Sequence, residues 1–490
     1  MLAPEKVAVI DIGSNSCRLV IYERAGAAFL PFFNEKVMAG LGRDLTETGK
    51  LSKDGKARAL DTFKRFRAIL ESLGIGSSYA VATAAMREAE DGPAFKLEAE
   101  NALGMTLRVL GGEEEGEASA RGITAGFRKS KGLVADLGGS SLELHSTAMD
   151  AGAAPGETYL LGPLARAKDI DLHLDDRRTI IRKALKQSDL LPLNSGRLFA
   201  VGGAWRSLAT VHMELSGYQL GVTHGYKLTR DALGMIIKAA QAARSDGALK
   251  NRLQRVAKRR YDAMLHAALV LDTLISRAGV SHAHVSAYGL REGILVQSAD
   301  LDPDNRLLDT TELYFRLTAD NVAFGRQLYQ FLEPVLETLD QNEAIMRATC
   351  LMADAGARMH PDHRCDLIFE QVLRAPTPLM NHSERLFAAF AVASRYTFKF
   401  KLPEDLSALV KSSDLSDARI LGTAMRLGGV YSGRSASMLT TAKLERSSGE
   451  LVLAVLKEHK DMVSSTVRRR HQQLANLMSR EPRLDFVARV

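Results

Sequence analysis

The chain has 490 residues, 46% of them hydrophobic and 25% charged, with a formal net charge of +7. This composition excludes a disordered or low-complexity protein, allows about three or four domains, and favours a polyanionic partner. Three scattered cysteines, Cys17, Cys350 and Cys365, exclude a disulfide framework or a cysteine zinc site and point to a reducing compartment. With no leader ahead of the first strand and no apolar run long enough to span a bilayer, a cytoplasmic location is expected.

Val7 to Ile10 is an apolar run ending at Asp11, which predicts a buried strand. Gly13-Ser14-Asn15-Ser16 follows as a small polar turn, and Leu19 to Tyr22 returns as a second strand. Gly13 is expected to permit a bend that a side chain would resist. N–H groups and hydroxyls at such a turn make a concave anion site, and Asp11 beside it suits a metal ion or a water. Phe29 to Met38 reads as a third strand, with Gly40-Leu41-Gly42-Arg43 a glycine-rich loop near the same cleft.

Lys53 to Leu73 has helical apolar spacing and closes at Gly74. Tyr79 to Thr83 is a strand whose end delivers Arg87, either to a ligand or to a surface pairing with Glu88 or Glu90. Pro93 to Leu103 reads as helix and Thr106 to Leu110 as strand. Gly111-Gly112 then opens a helix carrying Glu113, Glu114 and Glu115. Acidic residues there suit the helix dipole, and small residues (Ala118, Ser119, Gly122) share a face with Glu115.

The first pattern then returns. Leu133 to Leu144 holds an apolar strand, Asp136, the turn Gly138-Gly139-Ser140-Ser141, and a second strand with Glu143. Two copies predict a duplicated unit whose halves each offer an anion-holding turn to one cleft. Beyond it, Arg177 to Lys186 reads as helix and Leu198 to Val201 as strand. Gly202-Gly203 turns into a helix near Trp205, and Thr229 to Ala242 and Arg252 to Ile275 read as helices, the latter with a basic face of Arg252, Arg255 and Arg259. Ala283 to Ala287 is a strand before Gly289-Leu290-Arg291-Glu292-Gly293. Past Asp300 strand signals nearly vanish. Leu307 to about Leu402 is helical, and Pro403 to Val490 is a smaller mixed segment with a basic cluster at Val467 to His471.

In order and spacing these motifs resemble the exopolyphosphatase / guanosine pentaphosphate phosphohydrolase family, within the superfamily of actin, sugar kinases and heat-shock ATPases. The residues that carry the resemblance are Asp11 to Ser16, Ala82 to Arg87, Gly112 to Glu115, Asp136 to Glu143, Gly202-Gly203 and Gly289 to Gly293. The resemblance implies an α/β fold: actin-like lobes at 1–127 and 128–300, a helical HD-like domain at 301–402 and a small C-terminal domain at 403–490. It also implies magnesium-dependent hydrolysis of a terminal phosphoanhydride, with inorganic polyphosphate as substrate or guanosine pentaphosphate as the alternative.

In that scheme Glu115, with Glu114 as fallback, activates water. Gly13, Ser14, Asn15, Ser16, Arg87, Gly138, Gly139, Ser140 and Ser141 hold phosphate, and Asp11, Asp136 and Glu143 hold magnesium. A homodimer is implied, with neither nucleic acid nor membrane as partner. Two departures stand out. Ser140 and Leu142 replace a glycine and a threonine of the family pattern, and the HD-like domain has Ala353-Asp354 where the family's metal-binding His-Asp pair falls, so no metal is assigned there. His360 to His363 is not a known zinc spacing. A small-molecule kinase of the superfamily and a non-catalytic polyphosphate sensor are the more distant alternatives.

Overall fold

The computed structural model describes residues 4–148, 155–296 and 302–489. They group into two units: Pro4–Arg24 with Phe29–Pro303, and Ala25–Ala28 with Asp304–Val490.

The first unit holds two lobes, each built on a mixed sheet. In the first lobe β1 (Glu5–Ile12), β2 (Cys17–Ala25), β3 (Ala28–Val37), β4 (Ser77–Ala82) and β5 (Leu107–Val109) lie in the order β3-β2-β1-β4-β5. The continuous apolar run of β1 is explained by burial on both faces. Ala8, Ile10 and Ile12 pack with Phe63 and Phe66 of helix Lys53–Ser72, while Val7 and Val9 pack with Ala125 and Leu295 on the opposite side.

The second lobe has β6 (Gly132–Leu137), β7 (Leu142–Ser146), β8 (Glu157–Tyr159), β9 (Arg197–Val201), β10 (Lys227–Thr229) and β11 (His282–Val285), in the order β10-β11-β9-β6-β7-β8. Read from the other edge, β8-β7-β6-β9-β11 repeats the first lobe strand for strand. In both lobes the hairpin is antiparallel, and the strand that opens it runs parallel to the next strand in the sheet. Trp205, just past the Gly202-Gly203 turn, is fully buried in the lobe core, and its indole N–H donates to the Ala267 carbonyl at 3.0 Å.

One expected helix is broken. Instead of running from Arg252 to Ile275, the chain forms helices Gly247–Ala257 and Tyr261–Ala278, separated at Lys258, whose φ is +53°. Helical apolar periodicity continues across the interruption, so the sequence conceals it. The proposed basic face is split as a result: Arg252 pairs with Glu214 at 2.8 Å, while Arg259 and Arg260 turn into the cleft.

The second unit packs helix His382–Tyr396 along helix Ser412–Ser432. Its tail carries a three-stranded sheet of Ala442–Ser447, Glu450–Leu456 and Glu481–Val487, with helix Ser465–Leu477 beside it. Asp354 is buried in an ion pair with Arg395, whereas His360 and Asp362 are exposed. Among the described residues no helix is long and apolar enough to cross a membrane, and no group of three or more His, Cys, Asp or Glu side chains is arranged to hold a metal.

Candidate active site

Each hairpin tip is a four-residue loop closed in the same way. The Gly13 N–H donates to the Ser16 carbonyl at 3.0 Å, and the Gly138 N–H donates to the Ser141 carbonyl at 2.9 Å. Behind each tip a later loop takes the tip carbonyls. Asn15 and Ser14 accept from the N–H groups of Gly40 and Gly42 at 3.1 and 2.8 Å; Ser140 and Gly139 accept from Gly162 and Leu164 at 2.9 and 2.8 Å. The C=O and N–H of a trans peptide point in opposite directions. The amides of Asn15 and Ser16, and of Ser140 and Ser141, therefore point away from these loops. Gly162 is required for this arrangement: an added Cβ would lie 2.3 Å from the Ser140 carbonyl carbon.

Glycine at the tips serves a different purpose from the one expected. Neither Gly13 nor Gly138 has a positive φ, and a Cβ on either would meet only ordinary contacts, 3.6 and 3.5 Å from carbonyl oxygens. The backbone bend does not need them. What their missing side chains provide is bare backbone beside the cleft.

The two tips meet in one cleft of about 490 Å³, lined by Asp11, Gly13, Ser14, Asn15, Ser16, Glu115, Asp136, Gly138, Gly139 and Ser141. Four expected site residues do not line it. Ser140 is buried and contributes backbone. Glu143 lies behind the wall, 2% exposed, with both carboxylate oxygens lacking a hydrogen-bond partner. Arg87 stands at the margin, donating to the Leu110 carbonyl at 2.8 Å and lying 3.5 Å from both Glu115 and Glu88. Glu114, the alternative base, caps its own helix through the Gly111 N–H at 2.8 Å and pairs with exposed Arg108, and it does not line the cleft.

Strand register sets the carboxylates. Asp136 sits directly opposite Glu143 across β6 and β7, and Asp11 opposite Arg18 across β1 and β2. The duplicated position opposite the aspartate thus carries a cation in one lobe and a second carboxyl in the other. Burial pushes the Asp11 carboxyl above its ordinary range, partly offset by Arg291 at 3.9 Å. Burial likewise raises Asp136, offset by the Ser119 hydroxyl, which donates at 2.6 Å. Burial and the Asp136 charge push Glu143 up to about 8. Glu115, on helix Gly112–Gly126, is raised well above the ordinary carboxylate range, first by burial and then by Glu143 and Asp136. Its helix approaches helix Leu290–Leu295 closely, because a Cβ at Gly122 would fall 2.2 Å from the Gly289 carbonyl oxygen.

Cations dominate the rest of the cleft: eight Arg or Lys side chains against four carboxylates among the described lining residues. Arg18, Lys36, Arg166 and Arg206 were not singled out from the sequence. Two signals were available: Arg18 follows from hairpin register opposite Asp11, and Arg206 lies three residues into the helix that begins at Gly203. Burial and neighbouring arginines lower Arg206 to about 10 and Lys36 to about 8, so positive charge is packed here against its own repulsion. Such crowding suits a ligand bearing several negative charges.

Comparison with known proteins agrees with this geometry. The Ppx/GppA phosphatase family matches residues 19–301, more than half of the chain, and the exopolyphosphatase C-terminal family matches residues 318–487. Exopolyphosphatase 1 of Mycobacterium tuberculosis is 24% identical over 322 residues, covering 62% of this chain and 91% of its own. The guanosine-5'-triphosphate,3'-diphosphate pyrophosphatase of Aeromonas hydrophila is 22% identical over 446 residues, covering 86% of this chain and 87% of its own. A crystal structure of an exopolyphosphatase from Cytophaga hutchinsonii shares the fold, with a TM-score of 0.52 at 22% identity over 60% of this chain and 98% of that one. With paired phosphate-type turns on two actin-like lobes and a family match spanning both, the chain belongs to the Ppx/GppA phosphatase family, hydrolases of phosphoanhydride bonds.

Proposed function

We propose that this protein is an exopolyphosphatase, removing orthophosphate from the end of inorganic polyphosphate. The observation that carries this reading is the contact of the two tips in one cationic cleft that Glu115 also lines. Tip amides and hydroxyls would hold the terminal phosphoryl group, with Arg87 swinging from the margin as a bidentate donor. Arg18, Lys36, Arg206 and Arg260 would take the following phosphates. Glu115 would orient the attacking water and accept its proton; burial, then Glu143 and Asp136, raise its pKa well above the ordinary carboxylate range, which makes it a stronger base than a free carboxylate. Dispersed negative charge in a loose phosphoryl-transfer transition state is met by fixed donors rather than by covalent catalysis.

Magnesium fits the carboxylates present. Glu143 has two buried oxygens without hydrogen-bond partners, and Asp11 and Asp136 line the cleft beside it. No three of these groups are arranged as a direct cage among the described residues. A magnesium ion held here would keep several of its waters and bind through one or two carboxylates and the substrate. Bound there, magnesium would neutralise charge on the phosphate oxygens.

Hydrolysis of guanosine pentaphosphate is the second reading, favoured by the relative of that activity which covers 86% of this chain, including the C-terminal region. Rates on long polyphosphate and on the pentaphosphate, measured side by side, decide between the two. Faster release from the pentaphosphate would replace the first reading. A cytoplasmic homodimer is part of the same proposal, and the dimer is checked by the mass of the protein in solution.

A further inference from the structure

The second unit gathers arginines around one carboxylate. Asp354 is buried and held by Arg395, whose guanidinium also lies 5.1 Å from the Tyr396 ring. Arg434 Nε lies 3.9 Å from the other Asp354 oxygen. Gly429 makes room for the pair, since a Cβ there would come 3.0 Å from Arg395 Nη2. Next to it, Arg426 on helix Ser412–Ser432 is half-buried and has neither hydrogen bond nor ion pair among the described residues.

Helix Ser465–Leu477 packs on that helix and carries Arg469 and Arg470. Burial lowers the Arg426 pKa, and the charges of nearby Arg470, Arg395 and Arg469 lower it further. The Nε atoms of Arg395 and Arg470 are buried without hydrogen-bond partners. Cys365 is also within reach, but burial pushes its thiol up, so it supplies no compensating thiolate. Asp354 is thus the one carboxylate that any of these five arginines ion-pairs with among the described residues.

Crowded guanidinium groups repel, and partial burial removes the water that would screen them. A bound anion relieves both costs. The cluster grades from the buried Asp354–Arg395 pair to Arg434, whose side chain is 56% exposed, and to exposed Arg469, so an anion can enter from solvent. Arginine forks also match phosphoryl oxygens in a bidentate manner.

We propose that Arg426, with Arg395, Arg469 and Arg470, forms an anion site in this unit that takes a phosphoryl group. Polyphosphate segments and small phosphorylated molecules share that chemistry. The site is independent of the cleft and of the reaction proposed there.

The test is isothermal titration of the full-length protein, cold and in excess chelator, with orthophosphate and separately with tripolyphosphate. Arg426→Ala should weaken binding of the occupying probe by roughly tenfold, the scale for losing one charged hydrogen-bond donor. Arg469→Ala, at an exposed position where folding is not in question, should weaken it in the same sense. Arg468→Ala, one residue away on the same helix, should leave it unchanged. An Arg426-dependent isotherm with orthophosphate identifies a site for small phosphorylated ligands, and one seen only with tripolyphosphate identifies a chain segment; either supports the proposal. Isotherms unchanged in both Arg426→Ala and Arg469→Ala overturn it, whatever the cleft is found to hydrolyse.

Discussion

Gly139 of one lobe lies directly against Ser14 of the other: a Cβ added to Gly139 would stand 3.4 Å from the Ser14 Cβ and 3.7 Å from that of Asn15. The two phosphate-type turns therefore touch, and their spacing is set by the absence of one side chain. Leu164, 3.3 Å away on the third side, closes the gap. Gly139→Val should wedge the turns apart. Because both must reach one phosphoryl group, a misplacement of about 1 Å should cut kcat/KM by about a hundredfold, with a smaller loss of stability, about 1–3 kcal/mol. Steady-state kinetics beside thermal unfolding check this. Normal kcat/KM in a folded Gly139→Val protein would separate the two turns functionally.

Glu115 and Glu114 are adjacent, yet the helix turns about 100° between them. One carboxylate lines the cleft; the other caps Gly111 and pairs with Arg108. Glu115→Gln should lower kcat roughly a hundredfold to ten-thousandfold while KM changes little. Glu114→Gln should leave kcat near wild type and cost at most about 1 kcal/mol through the weakened cap and surface pair. Phosphate-release kinetics of the two variants distinguish them, and a reversed order would move the base to Glu114.

How far the sequence foretold these positions follows from where each residue's information lies. The turns at Gly13 and Gly138 and their aspartates are local patterns, so they could be read directly, and the strand orders of both sheets bear out the duplication. The orientation of Glu115 against Glu114 depends on the rotation of a helix relative to a distant strand, which residue spacing alone left open. Lys36 and Arg206 come from separate lobes and meet only in the folded cleft, where nothing adjacent in sequence marks them. The break at Lys258 was hidden because apolar spacing continues through it, although that break is what turns Arg259 and Arg260 into the cleft.

Asp11, Asp136 and Glu143 concentrate carboxylates where water is scarce, and that arrangement gains from a cation. Excess chelator should abolish turnover. Magnesium should raise the thermal midpoint of the wild-type protein, increasingly as its concentration exceeds the dissociation constant, and by less in Asp136→Asn. Turnover that persists in chelator, or equal midpoint shifts in both proteins, would remove magnesium from the site.

Lys36 gives the cleft a pH response of definite sign. Its ammonium is destabilised by burial and by Arg260 and Arg18, which lowers its pKa to about 8. Below that value Lys36 is charged and adds to attraction for a polyanion; as pH rises through it, the charge is lost and substrate binding should weaken. Bound phosphate favours the protonated form, so the effect belongs to the free enzyme and should appear in kcat/KM rather than in kcat. The expected profile of kcat/KM falls on the alkaline side near pH 8 while kcat at saturation holds. Lys36→Arg keeps its charge throughout this range and should flatten that limb, whereas Lys36→Met should show low kcat/KM at every pH. Retention of the alkaline limb in Lys36→Arg would assign it to another group in the cleft.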